Sequence, residues 1–451
     1  MTTHSIRQVL SSLVIVGALA GPAVAAPVAV AAGVEAATTP TDPAAAQAII
    51  DAAFARQEAG ATLARVRELL DESAGHPAID HARGTVRFLE AIQWLLQGAT
   101  RHGFLQTFRG AGLMLTPQAD LLQWTATDDP AVTPAGAIDL ALRGFVARLA
   151  EADGVLAEVD GPFTAAIELP AIRFDLDGDG EATSAEGLRS FFAMLPEMRR
   201  WDPEERRTVV APMVPPTLVV AFDRGDTEWL RGYCHLLSAA AEAVLAHDHR
   251  EWFDHTGFVL FPRAVTSHEQ LPGTSWSMER ITGMQVPADF DLTDVLAMIG
   301  NLQMPVDEPE RLALALEHLR AAVDHGRAMW AAYDAETDDD REWIPNPRQT
   351  AAFHAVQVDP ALRDAWLALI DEADAVLDGR KLLRYWRGDG TRGIDLVKVF
   401  LEPRDFNLLY WVQGSAATPY LREGEFTAPR TWAQIRRLTD QRVLRYSFWF
   451  N

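Results

Sequence analysis

Asp226-Thr227-Glu228-Trp229-Leu230-Arg231-Gly232-Tyr233-Cys234-His235-Leu236-Leu237-Ser238-Ala239-Ala240-Ala241-Glu242-Ala243-Val244-Leu245-Ala246-His247-Asp248 is the stretch from which the fold of this chain reads. It contains no proline, and Trp229, Tyr233, Leu236, Leu237, Ala240 and Val244 recur at the three- and four-residue steps of one buried helix face. Asp226 stands where an N-cap is expected. The same periodicity predicts helices from Pro43 to Gly75 with a break at Gly60, and from Ile79 to His102, with Val86, Leu89, Ile92, Leu95 and Leu96 among its apolar positions. It predicts another from Thr133 to Val159, opened by Thr133-Pro134, and three more at Glu310 to Tyr333, Pro360 to Leu377 and Thr431 to Leu444. Pro203, Pro212, Pro215 and Pro216 mark an irregular crossing before a short apolar strand or buried turn at Thr217 to Phe222. From Phe258 to Pro309 recurring prolines and glycines keep regular structure short. No internal repeat emerges. The expected fold class is mainly α: an irregular helical protein with a few short extended segments. A helical region over residues 43–260 and a C-terminal helical region over 261–451 can form one continuous domain.

The chemistry is concentrated in Asp175-Leu176-Asp177-Gly178-Asp179-Gly180-Glu181-Ala182-Thr183-Ser184-Ala185-Glu186. Asp and Gly are common turn residues, but a solvated turn does not explain a further carboxylate at the twelfth position with a glycine at the sixth. Clustered carboxylates repel one another unless a cation sits among them. The stretch resembles the calcium loop of the EF-hand family, and that resemblance covers the loop and its exit helix only. It implies Ca²⁺ held by Asp175, Asp177, Asp179, the backbone carbonyl of Glu181, Thr183 and Glu186, with Gly180 at the sharp bend. Leu188, Phe191, Phe192 and Leu195 predict an exit helix. Ahead of the loop, Pro162, Pro170, Ile172 and Phe174 read as extended chain, a departure from helix-loop-helix. Position eight is only Ala182 and no second loop is found. The acidic run Asp334 to Glu342 lacks the glycine and the closing glutamate and reads as a solvated loop. A lone hand without a Met-rich groove looks like a structural site rather than a sensor.

Residues 1–25 read as a secretory signal peptide, with Arg7, an apolar run from Val9 to Ala20 and Ala23-Val24-Ala25 at the cleavage positions. That run is shorter than the roughly 20 residues a bilayer span requires. Residues 26–42 read as a flexible leader. An exported protein of a bacterial periplasm is therefore expected, with no membrane span. Only Lys381 and Lys398 among the 40 basic residues are lysines, a bias of high-GC bacterial coding. The formal net charge of −23 argues against nucleic acid as a partner and favours cation binding. Cys234 is the only cysteine, so neither an intrachain disulfide nor a thiolate zinc site can form.

Other motifs carry less. Glu228, His235, Glu242 and His249 recur every seven residues on one stripe, but seven helical residues span about 10.5 Å, so a shared metal would need a partner helix. His247, Asp248, His249, Asp254 and His255 could hold a transition metal, against the plainer reading of a polar helix end. His268-Glu269 lacks the second histidine of a metalloprotease helix, and Gly273 to Ser277 lacks the closing glycine of a nucleophile elbow. Gly388-Asp389-Gly390-Thr391-Arg392-Gly393 has dinucleotide-type glycine spacing without a preceding buried strand, and reads as a turn. The functional expectation is an exported calcium-binding protein with a structural site, acting as a binding or scaffold protein. The alternative is an envelope hydrolase or transition-metal enzyme using the region of His247, His249 and His255.

Overall fold

The computed structural model describes residues 42–106, 126–193, 198–202, 207–211, 217–267, 292–352 and 358–430. The proposed signal segment, most of the leader, Leu195, the helix expected over Thr431 to Leu444, and His268 to Ser277 lie outside the described residues. Helices dominate: α1 (Pro43–Ala55), α2 (Leu63–Asp71), α3 (Pro77–His102), α4 (Gly136–Ala157), α5 (Leu188–Ala193), α6 (Arg224–Leu245), α7 (Arg250–Leu260), α8 (Leu292–Gly300), α9 (Pro309–Ala335), α10 (Pro360–Leu377), α11 (Leu396–Leu401) and α12 (Leu408–Gln413). The chain is mainly α and irregular. Among the described residues no helix is long and apolar enough to cross a membrane.

The strands are short and antiparallel. Strand β1 (Ala165–Glu168) pairs with β4 (Val219–Phe222), placing Ala165 opposite Phe222, and β2 (Met198–Asp202) pairs with β3 (Arg207–Ala211). Strand β5 (Gln303–Met304) pairs with β8 (Phe406–Asn407), and β6 (Leu383–Arg384), β7 (Arg392–Ile394) and β9 (Leu421–Glu423) form a three-stranded sheet with β7 central. Residues 385–391 join β6 to β7, with Gly388 at φ 96° and Gly390 at φ 80°, so the glycine-rich 388–393 segment is a turn running into β7 at Arg392 and Gly393.

Helix α3 starts where the His76 ring accepts the Ala78 N–H at 3.2 Å and Pro77 supplies a preset φ; it stops at Gly103 in the left-handed region. Its length lets one helix serve two apolar clusters. Ala78, Ile79, Ala82 and Val86 face α1, α2, β1, β4, the end of α9 and α10; Ala91, Leu95 and Ala99 face α4, α6 and α7. Trp229 of α6 packs against both clusters. A smaller core of Ile394, Ala417 and Tyr420, flanked by Trp411, lies under the three-stranded sheet.

The 226–248 stretch is helical, with two corrections to its sequence reading. Asp223, not Asp226, is the N-cap of α6: its carboxylate accepts from the N–H groups of Gly225 and Asp226, and Asp226 returns a bond to the Asp223 N–H as the fourth residue of a capping box. The helix is also buried on more than one face. Leu230, Cys234, Ala241 and Leu245 are buried, as are Glu228 and Glu242 of the polar stripe, whereas Trp229, Leu236, Leu237, Ala240 and Val244 keep partial exposure. The reason is tertiary: α4 packs on one side and α9 on the other. Helix α9 comes from beyond residue 260, so the two helical regions of the sequence reading share this interface.

Candidate functional site

The 175–186 loop sits between β1 and α5. A 3-10 turn (Leu169–Ala171) precedes it, and a bridge between Arg173 and Gly187 with the Leu188 N–H to Ile172 carbonyl bond, 2.9 Å, closes its base. No helix leads into it, as the extended reading of 162–174 predicted. The exit is a 3-10 turn (Ser184–Glu186) followed by the short α5.

Inside the loop the chain folds on its own carboxylates. Asp175 accepts from the Gly178 N–H at 2.8 Å and the Gly180 N–H at 3.2 Å; Asp177 accepts from Asp179 at 3.1 Å, and Asp179 from Glu181 at 2.8 Å. Gly178 and Gly180 have φ of 79° and 91°, a region side-chain-bearing residues rarely enter. Glu186 reaches back across the loop, accepting from the Leu176 N–H at 2.7 Å on one oxygen and from the N–H and hydroxyl of Thr183 at 3.0 and 2.7 Å on the other. As a result Asp175, Asp177 and Glu186 place one oxygen each within 4.8 Å of the others. Asp179, Glu181 and Thr183 lie on the same loop outside that trio. Burial pushes the Asp175 carboxyl up, as do Asp177 and Asp179, against the Gly178 and Gly180 amides.

The loop is fastened to the core. Gln93 of α3 accepts the Asp175 N–H at 3.0 Å, and Gln97, one helical turn on, donates to the Asp175 carbonyl at 2.6 Å. Gln57 does the same for both backbone groups of Arg173. The N–H of buried Ala182 donates to the Gly60 carbonyl at 3.0 Å, so the turn between α1 and α2 backs the eighth loop position.

The histidines of the alternative reading, His247, His249 and His255, form no metal-competent group among the described residues. His247 Nδ1 donates to the Ala243 carbonyl at 2.8 Å; His249, buried, has Nε2 at 3.9 Å from Asp139; His255 is exposed on α7. Among the described residues, metal-competent side chains converge instead at Asp175, Asp177 and Glu186, at Asp153, His235 and His325, and at Asp223, Glu336 and Glu342. The second group lies where α4, α6 and α9 meet. Burial lowers His235 to about 4, with Asp153 opposing and His318 and His325 reinforcing, so its imidazole is neutral near pH 7. At Glu228, the His325 hydrogen bond and Arg224 overcome the upward push of burial and hold the carboxyl below its ordinary value.

The reading of 334–342 as a solvated loop holds for residues 337–341, which are exposed, but not for Glu336, which is half-buried at the end of α9, or for Glu342. Glu342 is buried, and Arg341 takes φ 86° where the chain turns in beside the amino end of α6. Burial and neighbouring carboxylates raise Glu336 to about 9 and Glu342 to about 7. On α12, Tyr410 is exposed while Trp411 stacks on Tyr420 at 6.0 Å.

No family model, no curated protein and no solved structure matches the chain. Function is therefore read from the site itself. Sequence spacing pointed to the calcium loop and to the α6 stripe of Glu228 and His235. It missed Asp153, His318 and His325, although the seven-residue step from His318 to His325 repeats that of the α6 stripe.

Proposed function

We infer that this is an exported calcium-binding protein in which the 175–186 loop takes one Ca²⁺ as a structural ion, and that it serves as a binding or scaffold protein. The convergence of Asp175, Asp177 and Glu186 on a loop with its two glycines at positive φ is the observation that carries this reading. The donor set suits a hard cation: carboxylates, the Glu181 carbonyl and the Thr183 hydroxyl are all oxygen ligands. Bound calcium would supply charge neutralisation and a fixed centre for those oxygens. Asp175, Asp177 and Glu186 would each offer one of the oxygens that already lie within 4.8 Å of one another. Asp179 and Thr183 would turn inward, the Thr183 hydroxyl giving up its bond to Glu186. A signal-like segment at residues 1–25 supports an address outside the cytoplasm, where calcium is abundant.

The consequence for the fold follows from the anchors. Gln57, Gln93, Gln97 and Gly60 tie the loop to α3 and to the α1–α2 turn, so an ion that orders the loop braces the first apolar cluster. At a hundredfold excess of calcium over its dissociation constant the folded state gains about 2.7 kcal/mol. Thermal unfolding in calcium and in chelator tests this: the midpoint should rise with calcium, and Glu186→Gln should abolish most of the rise. A wild-type midpoint indifferent to millimolar calcium rejects the reading.

A further inference from the structure

Helices α6 and α9 run antiparallel and carry matched polar residues at the same seven-residue interval. Glu242 pairs with Arg311 at 2.5 Å, and Glu228 Oε2 lies 2.7 Å from His325 Nδ1. These outer rungs match acid with base. The middle rung sets His235 Nδ1 2.8 Å from His318 Nδ1, a pairing of two imidazoles that neutralises no charge. On the far side of His235, Asp153 of α4 has one oxygen taken by Arg231 Nε at 2.8 Å, and the other lies 3.6 Å from His235 Nε2. The His325 ring lies parallel to that of His235, tilted 11° with centroids 5.3 Å apart.

We propose that Asp153, His235 and His325, one residue from each of three packed helices, bind a divalent transition-metal ion, most simply zinc. The ligand atoms of these residues lie within 4.8 Å of one another. A gap of 3.6 Å is too long for a direct hydrogen bond. It is close to the roughly 3.3 Å that separates a nitrogen and an oxygen bound at about 2.0–2.1 Å to one tetrahedral ion. Two imidazoles and a carboxylate are an N/O donor set that zinc and its first-row neighbours accept. Each ligand has a partner that orients it: Glu228 holds Nδ1 of His325, His318 holds Nδ1 of His235, and Arg231 holds one oxygen of Asp153. That arrangement leaves Nε2 as the metal-binding nitrogen of each ring. With three protein ligands, and side chains 14–21% exposed, the fourth coordination position is left to water. This site is separate from the 175–186 loop in both residues and ligand chemistry.

Titration of the calcium-loaded full chain with Co²⁺ as a spectroscopic probe tests the site. A visible d–d absorption should saturate at one equivalent and be displaced by one equivalent of Zn²⁺. The H235Q/H325Q double variant should lose it, and Glu228→Gln should weaken binding tenfold or more. Circular dichroism shows whether the variants keep their helices. X-ray absorption of the wild-type zinc protein gives a readout that needs no variant, with two imidazoles expected on the ion. No saturable cobalt spectrum, a spectrum that persists in a folded double variant, or a zinc shell with fewer than two imidazoles overturns the proposal.

Discussion

Tyr333 shows how one hydroxyl anchors a helix end. Its ring is fully buried, and its O–H donates to Asp226 Oδ1 at 2.6 Å, inside the capping box of α6. Burial, with Asp223 beside it, pushes the Asp226 carboxyl well above its ordinary range, and in that buried setting Oδ1 depends on the Tyr333 hydroxyl as its donor. Tyr333→Phe removes that donor while keeping the ring. The expected loss of stability is about 1–3 kcal/mol, the usual effect of leaving a buried acceptor unsatisfied. Urea unfolding checks it; a midpoint equal to wild type would mean that another group satisfies Asp226. None of this is legible locally, because Tyr333 and Asp226 lie in separate helices more than a hundred residues apart.

At the scale of elements, close helix approach depends on small residues. A Cβ at Gly84 of α3 would fall 2.4 Å from Leu156 of α4, whose side chain is fully buried. Gly84→Ala should therefore destabilise by about 1–2 kcal/mol, overpacking outweighing the better helix propensity of alanine. Gly154, an exposed residue of α4, has no neighbour within 4 Å of an added Cβ. Gly154→Ala should stabilise by about 0.5–1 kcal/mol. Thermal melts of both variants separate packing from propensity, since propensity alone would make both stabilising. The α6–α9 pair shows the complementary case. A polar stripe of Glu228, His235 and Glu242 looks solvent-facing when α6 is read by itself, yet Glu228 and Glu242 are buried and His235 half-buried because α9 answers each rung.

For the whole molecule, the acidic group at Asp223, Glu336 and Glu342 sets the pH dependence. The unfolded chain releases the Glu336 proton near the ordinary value of 4.5, whereas the fold holds it to about 9, and holds that of Glu342 to about 7. Between those values the folded protein binds protons that the unfolded chain has lost, so these groups make stability fall as pH rises. His81 acts in the opposite direction: burial lowers it to about 3, so its stabilising influence is lost as pH falls below about 6.5. Stability in chelator should therefore decline from pH 7 to pH 9. Glu336→Gln, which keeps a donor toward Asp223 but cannot ionise, should flatten that decline. Denaturant unfolding at the two pH values checks this, and an equal slope in the variant would show that Glu336 does not govern it.

Much of this protein is present in local sequence. Helix periodicity places α3, α4, α6, α9 and α10 within a few residues of their observed ends, and Pro360 to Leu377 coincides with α10. The carboxylates proposed to hold calcium are also local, because a twelve-residue loop brings Asp175, Asp177 and Glu186 together once Gly178 and Gly180 let the backbone turn. Two features needed the tertiary structure: which faces of α6 are covered, and which residues meet His235. Asp153, His318 and His325 reach it from two other helices, through a crossing and an antiparallel register set by the packing of side chains far apart in sequence. A helix repeats its own pattern every few residues but carries no mark of which partner will lie against each face, and that choice is made only when the core closes.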